Sequence, residues 1–317
     1  MTDPTRPFPK DLIDLDDFTP QQISHILDTA ESFKEVSERE IKKVPTLRGK
    51  LVVIFFHENS TRTRLSFEVS AKRLSADTVA LSASGSSLSK GESLLDTAKN
   101  IEAMNPDALV IRHGASGVPS FLGKRLSFPV LNAGDGAHAH PTQALLDMLT
   151  LREVKGRLDG LRVAIIGDIA HSRVARSNMI GLTRVGAQVA VAGPPSMLAA
   201  ELAETYGVEV YTRPEPAIEG ADGVMMLRIQ LERQAGALFP GAREYARVYG
   251  LTPERMKLAK DDAVILHPGP VNQGVELSPE LYDDPRSVIL PQVTNGVAVR
   301  MALLYLLIDT PEKTESQ

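Results

Sequence analysis

The chain has 317 residues, of which 43% are hydrophobic and 24% are charged; this length and composition suit a globular protein of two domains. Thirty-five Lys and Arg against 40 Asp and Glu give a formal net charge of −5, so the chain lacks the basic excess with which nucleic-acid-binding proteins neutralise phosphates. The absence of Cys excludes disulfides, thiolate nucleophiles and Cys-ligated metal centres, and it is typical of a cytoplasmic protein.

The first residues show no basic segment followed by an apolar one, and a run of about 18 apolar residues occurs nowhere. The longest apolar stretch, residues 301–308, is too short for a membrane span and predicts a buried C-terminal helix. We therefore expect neither export nor insertion into a membrane.

Short apolar runs alternate with helical patterns along the chain, which predicts parallel sheets covered by helices. The predicted strands are residues 51–56, 78–81, 108–112, 130–132, 162–167, 188–192, 223–227 and 263–266. The predicted helices are residues 62–75, 92–104, 141–153, 172–185, 197–206 and 253–260. We expect two α/β domains, with a boundary in the helix and turn-rich connector of residues 141–161.

Polar residues follow the first predicted strand at the start of a helix: Ser60, Thr61, Arg62 and Thr63. Ligands of open α/β sheets bind at the carboxyl ends of strands, and the N–H groups and dipole at a helix N-terminus attract anions. Hydroxyls and a guanidinium add further donors. The segment predicts a phosphate site without a Gly-rich loop. The alternative is that Ser60 or Thr61 only caps the helix.

A second polar segment follows the strand at 130–132 and enters a helix that has Pro141 in its first turn. His140 and Gln143 are three residues apart across this helix start, so both can point at one substrate carbonyl. His138 and His140 also form an H-x-H pair, and a metallohydrolase is therefore an alternative. The other histidines form no second ligand pattern, so we interpret His138 as a loop or packing residue.

The later strand ends also carry cationic and polar side chains. The G-x-G-x-x-G pattern of dinucleotide sites is absent after the strand at 162–167, and Arg173 at the next helix start suits a carboxylate, with a surface salt bridge as the alternative. Arg228 and Gln230 lie two apart on one side of an extended segment, and Pro268 and Pro270 fix a turn whose carbonyls can face a ligand. Together these strand ends predict a cleft between domains that gathers several anionic groups, either for catalysis or for anion binding alone.

From about residue 10 to about residue 308, the order of these segments resembles the aspartate carbamoyltransferase family. The resemblance is carried by Ser60-Thr61-Arg62-Thr63-Arg64, Lys90-Gly91-Glu92, Arg112-His113, His140-Pro141-Thr142-Gln143, Arg228-Ile229-Gln230 and His267-Pro268-Gly269-Pro270. The first and fourth segments also occur in ornithine carbamoyltransferases, whereas the Ser-Met-Gly loop and the Cys-containing late segment of those enzymes are absent.

The resemblance implies transfer of the carbamoyl group from carbamoyl phosphate to the amino group of L-aspartate in pyrimidine synthesis, without metal or cofactor. An ornithine-type acceptor is the alternative within the same reaction class. The implied fold is α/β, with two doubly wound parallel-sheet domains and the active site in the cleft between them. Residues 1–145 would bind carbamoyl phosphate, with a C-terminal helix at about 293–310 packing back on that domain, and residues 146–292 would bind aspartate.

Roles for individual residues follow from the same resemblance. Carbamoyl phosphate would contact Ser60, Thr61, Arg62, Thr63, Ser86, Lys90, Arg112, His140, Gln143, Pro268 and Gly269. Aspartate would contact Lys90, Arg173, Arg228 and Gln230, and the catalytic residues would be Arg62, Thr63, Lys90, Arg112 and His140. Because the substrate amine attacks the carbamoyl carbon directly, no protein nucleophile is needed, and catalysis would consist of positioning and stabilisation of developing charge.

Residues 82–92 have the small, polar composition of a mobile loop. In the family this loop enters the neighbouring subunit's site, so Ser86 (or Ser87, one residue away) and Lys90 would serve a neighbour in a homotrimer with shared sites. Regulatory or dihydroorotase subunits are possible further partners, whereas nucleic acid and membranes are not expected.

Glu58 lies two residues before Ser60, and a carboxylate beside a phosphate site must be neutralised by a cation. The resemblance implies that Arg173 and Arg233 pair with Glu58 when the domains close. The alternative is a local pair with Arg64.

Overall fold

The computed structural model describes residues 8–82, 93–229 and 241–308. The chain divides into two compact units. Unit 1 combines the chain up to Leu145 with the chain from Thr294, and unit 2 runs from Leu146 to Val293.

Unit 1 is built on a parallel sheet with the strand order β2-β1-β3-β4. Its strands are β1 (Leu51–Phe56), β2 (Asp77–Ser82), β3 (Ala108–His113) and β4 (Val130–Asp135). The helices up to the unit boundary are α1 (Pro20–Glu38), α2 (Thr61–Arg73), α3 (Leu94–Ala103), α4 (Val118–Gly123) and α5 (Pro141–Lys155), and α5 continues past the boundary into unit 2.

Unit 2 contains a second parallel sheet, in the order β7-β6-β5-β8-β9. Its strands are β5 (Arg162–Ile166), β6 (Gln188–Ala192), β7 (Glu209–Tyr211), β8 (Gly223–Met226) and β9 (Val264–Leu266). The remaining described helices are α6 (Arg173–Arg184), α7 (Leu202–Tyr206), α8 (Pro214–Ile218), α9 (Ala242–Tyr249), α10 (Pro253–Met256), α11 (Pro279–Tyr282) and α12 (Ile289–Ile308).

The central strands read as nearly continuous apolar runs because helices cover parallel sheets on both faces. In unit 1, Val53 and Phe55 of β1 point to the same face, since side chains alternate along a strand, and they belong to one buried cluster with Ala98 and Ile101 of α3. In unit 2 the corresponding cluster joins alternate residues of the strands to α8 and α10: Ala164, Ile166, Ala190, Ala192, Val224, Met226, Ala217, Ile218 and Met256. Each unit therefore has its own hydrophobic core.

Each of the eight predicted strands is present, with its ends shifted by at most three residues. The prediction of a single helix over 197–206 is wrong: a 3-10 turn, Pro195–Met197, is followed by the separate helix α7. The Met197 carbonyl accepts a hydrogen bond from Ala170 N–H (3.0 Å). In a continuous helix this carbonyl would instead accept from the N–H four residues further along the chain. The predicted helix at 253–260 ends earlier, at Met256.

Helix α12 is long and apolar enough to cross a membrane by length and composition, with a mean hydropathy of 1.2, but 61% of that window is buried in the protein. Arg300, in the middle of the helix, donates hydrogen bonds to Ser66 Oγ (3.0 Å) and Thr142 Oγ1 (3.1 Å). Ser70 Oγ donates to Val297 O (3.0 Å). These bonds attach the helix to α2 and to the start of α5, so the part of α12 from Thr294 onward belongs to the core of unit 1.

Candidate active site

The strand order of unit 1 reverses between β1 and β3, because the chain continues from β1 to β2 on one side and from β3 to β4 on the other. Ligands of doubly wound sheets bind outside the carboxyl ends of the strands at such a point. Phe56 and Arg112 are register partners, and His57 N–H donates to Arg112 O (2.8 Å). The segment that leads into α2 therefore lies beside the end of β3.

Helix α2 begins at this edge with Ser60 as its N-cap residue. The backbone of Ser60 is extended, and among the described residues its hydroxyl makes no capping hydrogen bond. This finding argues against capping as the function of Ser60. The first N–H groups of a helix lack intrahelical acceptors, and Thr63 lies buried in the same turn at 8% exposure, whereas Thr61 and Arg62 are exposed. The helix start thus presents several hydrogen-bond donors to an anion.

Arg112 is the second-last residue of β3, and it is buried at 8% exposure. Its Nη1 donates to Ala133 O (3.1 Å) and its Nη2 donates to Glu58 Oε1 (3.0 Å). These two bonds fix the plane of the guanidinium between the ends of β1 and β4. The pairing of Glu58 with Arg112 was not among the partners predicted from the sequence. Arg64, the local alternative, has its Nε 3.2 Å from Glu68 Oε1.

The turn after β4 is organised by Asp135, which is fully buried. Its carboxylate accepts hydrogen bonds from Gly117 N–H (2.7 Å) and Ala139 N–H (3.1 Å), and His138 Nδ1 lies 3.1 Å from Oδ2. This contact supports the interpretation of His138 as a loop residue. Across the three described ranges, no group of three or more His, Cys, Asp or Glu side chains is arranged to hold a metal ion.

This turn delivers His140 and Gln143 to the first turn of α5. Both side chains are buried, at 5% and 9% exposure, and Gln143 N–H donates to His140 O (3.0 Å). Because β3 and β4 are neighbouring strands about 4.8 Å apart, this helix start lies near Arg112. The donors predicted to bind carbamoyl phosphate therefore lie along one edge of the unit 1 sheet, at the carboxyl ends of its strands. This holds for those that fall within the described residues of unit 1.

His113, beside Arg112, stacks on His57 with the ring centroids 4.3 Å apart. Burial, and then the neighbouring His57, lower the pKa of His113 below its ordinary value. Its Nδ1 accepts a hydrogen bond from Ala115 N–H (2.9 Å). A lowered pKa favours the neutral form of the His113 ring at neutral pH.

The sheet of unit 2 has its own reversal of strand order, between β5 and β8. Arg173 begins α6 after β5 and is only 7% exposed, which argues against a surface salt bridge. Ser172 caps this helix by accepting a hydrogen bond from Ala175 N–H (3.1 Å). Arg228 lies two residues beyond β8. Two arginines thus flank the reversal point, the position expected for a ligand.

The absence of a side chain at Gly167 allows the carboxyl ends of β5 and β8 to approach each other closely. Its backbone has a φ of +143°, and an added Cβ would lie 2.8 Å from Leu227 Cβ. A side chain at residue 167 would therefore push apart the segments that carry Arg173 and Arg228.

The third strand end of unit 2 is the turn after β9. The His267 side chain is fully buried, its Nδ1 accepts a hydrogen bond from Gly269 N–H (2.7 Å), and its Nε2 lies 3.1 Å from Glu276 Oε1. Burial, and then the charges of Glu276 and Asp168, raise the pKa of the nearby Tyr245. Pro268 and Gly269 in this turn were predicted from the sequence, whereas Glu276 was not, because a single acidic residue in a loop gives no signal of its buried contact.

Some of the predicted site residues lie outside the described residues: Ser86, Ser87, Lys90, Gln230 and Arg233. Their roles stay predictions.

Two family models match the chain. One describes the carbamoyl-P binding domain of aspartate/ornithine carbamoyltransferases and matches residues 10–153, and the other describes the Asp/Orn binding domain and matches residues 159–307. The chain belongs to the aspartate/ornithine carbamoyltransferase family. The family resemblance inferred from the sequence is thereby confirmed.

Two curated relatives are aspartate carbamoyltransferase catalytic subunits. The chain is 60% identical over 299 residues to the aspartate carbamoyltransferase catalytic subunit of Desulfosudis oleivorans, covering 94% of this chain and 96% of that one. It is also 60% identical over 296 residues to that of Geobacter sulfurreducens, covering 93% and 95%.

Solved structures show the same fold in both branches. Ornithine carbamoyltransferase from Pyrococcus furiosus is 30% identical with a TM-score of 0.85, over 95% of this chain and 98% of that one. Aspartate transcarbamoylase from Trypanosoma cruzi, solved with carbamoyl phosphate and aspartate, is 28% identical with a TM-score of 0.83, over 95% and 96%. The fold therefore identifies the family but does not distinguish the acceptor.

Proposed function

We propose that this chain is the catalytic chain of an aspartate carbamoyltransferase. It transfers the carbamoyl group from carbamoyl phosphate to the amino group of L-aspartate and releases N-carbamoyl-L-aspartate and phosphate, in pyrimidine biosynthesis. The observation that carries this proposal is the identity of 60%, over nearly the whole of both chains, to curated aspartate carbamoyltransferase catalytic subunits.

The charges at the two strand edges suit these substrates. Carbamoyl phosphate carries a phosphate and a carbonyl, and unit 1 offers the start of α2 together with Arg112 and His140. Aspartate carries two carboxylates, and unit 2 offers the guanidinium groups of Arg173 and Arg228, which can each bind a carboxylate through two parallel hydrogen bonds. Unit 1 is thus the carbamoyl-phosphate-binding domain, and unit 2 is the aspartate-binding domain.

In the reaction the aspartate amino nitrogen attacks the carbamoyl carbon, negative charge develops on the carbonyl oxygen, and the bond from carbon to the phosphate oxygen breaks. Thr63, Arg112 and His140 polarise the carbonyl oxygen, and Arg62 stabilises the leaving phosphate. Such preorganised donors stabilise the transition state more than the ground state.

The remaining contacts orient the substrates. Ser60 and Thr61 bind the phosphate, Gln143 and the carbonyl of Pro268 orient the carbamoyl amide, and Gly269 lines the same turn. Gln230 assists Arg173 and Arg228 in binding aspartate. The nucleophile is the substrate's own amine, so the proposal includes no cofactor.

The functional unit is a homotrimer with shared active sites in the cytoplasm. Strand β2 is the edge strand of its sheet, so Ser82, its last residue and the one that precedes the predicted loop in the sequence, lies at the border of the sheet. Ser86 and Lys90 would complete the neighbouring subunit's site. The relatives are named catalytic subunits, which supports association with regulatory or other chains.

The test is a colorimetric assay of carbamoyl aspartate formation by the purified chain with carbamoyl phosphate and L-aspartate. L-ornithine replaces aspartate in the matched control. We expect product with aspartate and a much lower kcat/KM with ornithine. Comparable turnover of the two acceptors, or turnover with ornithine alone, would overturn the assignment of the acceptor.

A further inference from the structure

A fully buried carboxylate, that of Glu276, supports the turn that follows β9. The side chains of His267 and Glu276 are both 0% exposed, and His267 Nε2 lies 3.1 Å from Glu276 Oε1. Gly269 N–H donates to His267 Nδ1 (2.7 Å). Because a backbone N–H can only donate, Nδ1 must be the acceptor, and Nε2 carries the hydrogen that is donated to the carboxylate. Glu276 therefore fixes both the tautomer and the orientation of the ring that holds Gly269.

The same carboxylate oxygen also reaches the neighbouring strand end. Glu276 Oε1 accepts a second hydrogen bond from Asn272 N–H (2.6 Å), and Asn272 Nδ2 donates to Ile229 O (3.2 Å). Ile229 directly follows Arg228. One buried oxygen is thus linked to the turn of Pro268 and Gly269 on one side and to the backbone beside Arg228 on the other.

The turn is anchored from behind by a buried chain of amide and carboxylate groups. His267 N–H donates to Gln292 Oε1 (3.0 Å), Gln292 Nε2 donates to Asp147 Oδ1 (2.6 Å), and Asn178 Nδ2 donates to Asp147 Oδ2 (2.8 Å). Gln292, Asp147 and Asn178 are each at most 2% exposed. They attach the turn to α5, α6 and α12, so Glu276 acts on a turn whose other side is already rigidly held.

We propose that Glu276 is a positioning residue: through His267 and Asn272 it holds the Pro268–Gly269 turn and the segment that carries Arg228 in the arrangement that substrates require. This inference rests on the proposed function. Glu276 contacts no substrate itself, and its effect is exerted through the two loops. Because misplacement of substrate contacts by about 1 Å costs on the order of 100-fold in rate, its removal should be visible in steady-state kinetics.

The test compares Glu276→Met, which has a similar length and no acceptor oxygen, with Glu276→Gln, which keeps one. We expect Glu276→Met to raise the KM for aspartate and to lower kcat/KM by on the order of 10- to 100-fold, and we expect Glu276→Gln to restore most of that loss. The variant Asn272→Ala removes only the link to Ile229, so it should raise the KM for aspartate and leave the KM for carbamoyl phosphate near the wild-type value.

A matched control is Asp222→Asn. Asp222 is another buried carboxylate of unit 2, but it precedes β8 at the amino edge of the sheet, where it accepts hydrogen bonds from Arg162 N–H (2.8 Å) and Lys260 Nζ (2.7 Å). The Asp222→Asn variant should lower the midpoint of thermal unfolding without changing the KM for aspartate or the KM for carbamoyl phosphate.

The inference would be overturned if Glu276→Met had wild-type KM values and its apparent kcat fell only in proportion to the fraction of protein that is folded. That pattern is expected of a purely structural residue. If the wild-type protein makes no carbamoyl aspartate, the proposed function itself fails and the inference falls with it.

Discussion

Arg112 Nη2 donates a hydrogen bond of 3.0 Å to Glu58 Oε1, which joins the carboxyl ends of β3 and β1. This pair orients a guanidinium proposed to polarise the carbamoyl carbonyl. It also places a negative charge beside a proposed phosphate site, where the charge is compensated by the arginine.

Glu58→Ala should lower kcat by about 10-fold or more and leave the affinity for carbamoyl phosphate within a few-fold of wild type. The reason is that removal of the carboxylate takes away one of the two hydrogen bonds that fix the Arg112 guanidinium, which weakens transition-state stabilisation, while it also removes a charge that repels phosphate. Steady-state kinetics and equilibrium binding of carbamoyl phosphate measure the two effects separately. Glu58→Gln, which keeps an acceptor, should be intermediate. Wild-type kcat in both variants would remove Glu58 from the mechanism.

If Glu58 also pairs with Arg173 and Arg233 upon closure, as sequence analysis predicts, the alanine variant should in addition require much more aspartate for saturation.

Arg62→Ala should lose about 10²-fold or more in turnover, since removing one preorganised donor to developing charge typically costs that much. The matched control is Arg64→Ala, two residues further along α2, where the side chain is 48% exposed and pairs with Glu68 one helical turn away. We expect the control to keep near-wild-type turnover. Similar losses in both variants, with folding intact by circular dichroism, would show that the effect is general to the helix.

His140→Ala should mainly lower kcat, with a smaller effect on the affinity for carbamoyl phosphate. A group that polarises the carbonyl oxygen interacts more strongly as charge develops on it, so its removal raises the barrier more than it weakens the ground state. Single-turnover kinetics together with equilibrium binding separate these quantities. Weakened binding with unchanged turnover would make His140 a binding residue only.

Shared active sites can be tested by subunit mixing. Chains that carry Arg62→Ala and chains that carry Lys90→Ala should each be inactive, and joint dissociation and reassembly should restore part of the activity. Some hybrid interfaces then combine an intact Arg62 with an intact Lys90 from the neighbour. Absence of recovery in hybrids confirmed by native mass spectrometry would indicate that each site is built within one chain.

The acid stability of unit 2 should depend on Glu209. Arg162 binds both carboxylate oxygens of Glu209 at 2.7 and 2.8 Å. The hydrogen bond from Arg162, and then that from Tyr211, lowers the pKa of Glu209 from 4.5 to about 2. A lowered carboxyl pKa stabilises the folded state above the unfolded pKa, and this contribution is lost as the pH falls from about 4.5 towards 2.

We therefore expect Glu209→Gln to reduce the free energy of unfolding at pH 7 by at most about 1 kcal/mol, because the carboxylate is partly exposed to solvent. The difference should disappear near pH 2. Urea denaturation of both proteins at several pH values measures it, and a gap that stays constant with pH would contradict the assignment.

The strand ends were predictable because buried parallel strands read as apolar runs and the polar residues of the site follow them immediately. Helix α1 was missed although its signal is present: Thr19 and Gln22 form a capping box and Pro20 occupies the first turn. Strand β7 was missed for a physical reason, since it has three residues at a sheet edge and its Glu209 and Val210 are exposed.

Long-range polar contacts were not predictable at all. The link from Gln292 to Asp147 joins residues 145 positions apart, and no local pattern specifies which buried amide meets which carboxylate. The same holds for Arg112 and Glu58, because each is an ordinary residue at its own strand end until the order of the strands is known.

The discontinuity of unit 1 has a consequence for biosynthesis. Unit 2 is a single stretch of chain that is complete once residue 293 has left the ribosome, whereas unit 1 still lacks Arg300 and the other residues of α12 from Thr294 onward at that point. The usual order, in which the amino-terminal domain folds first during synthesis, is therefore not available to this chain. Premature termination after unit 2 would leave Ser66, Ser70 and Thr142 without the helix to which they bond. Unit 1, whose synthesis begins first, would therefore be the unit that is destabilised.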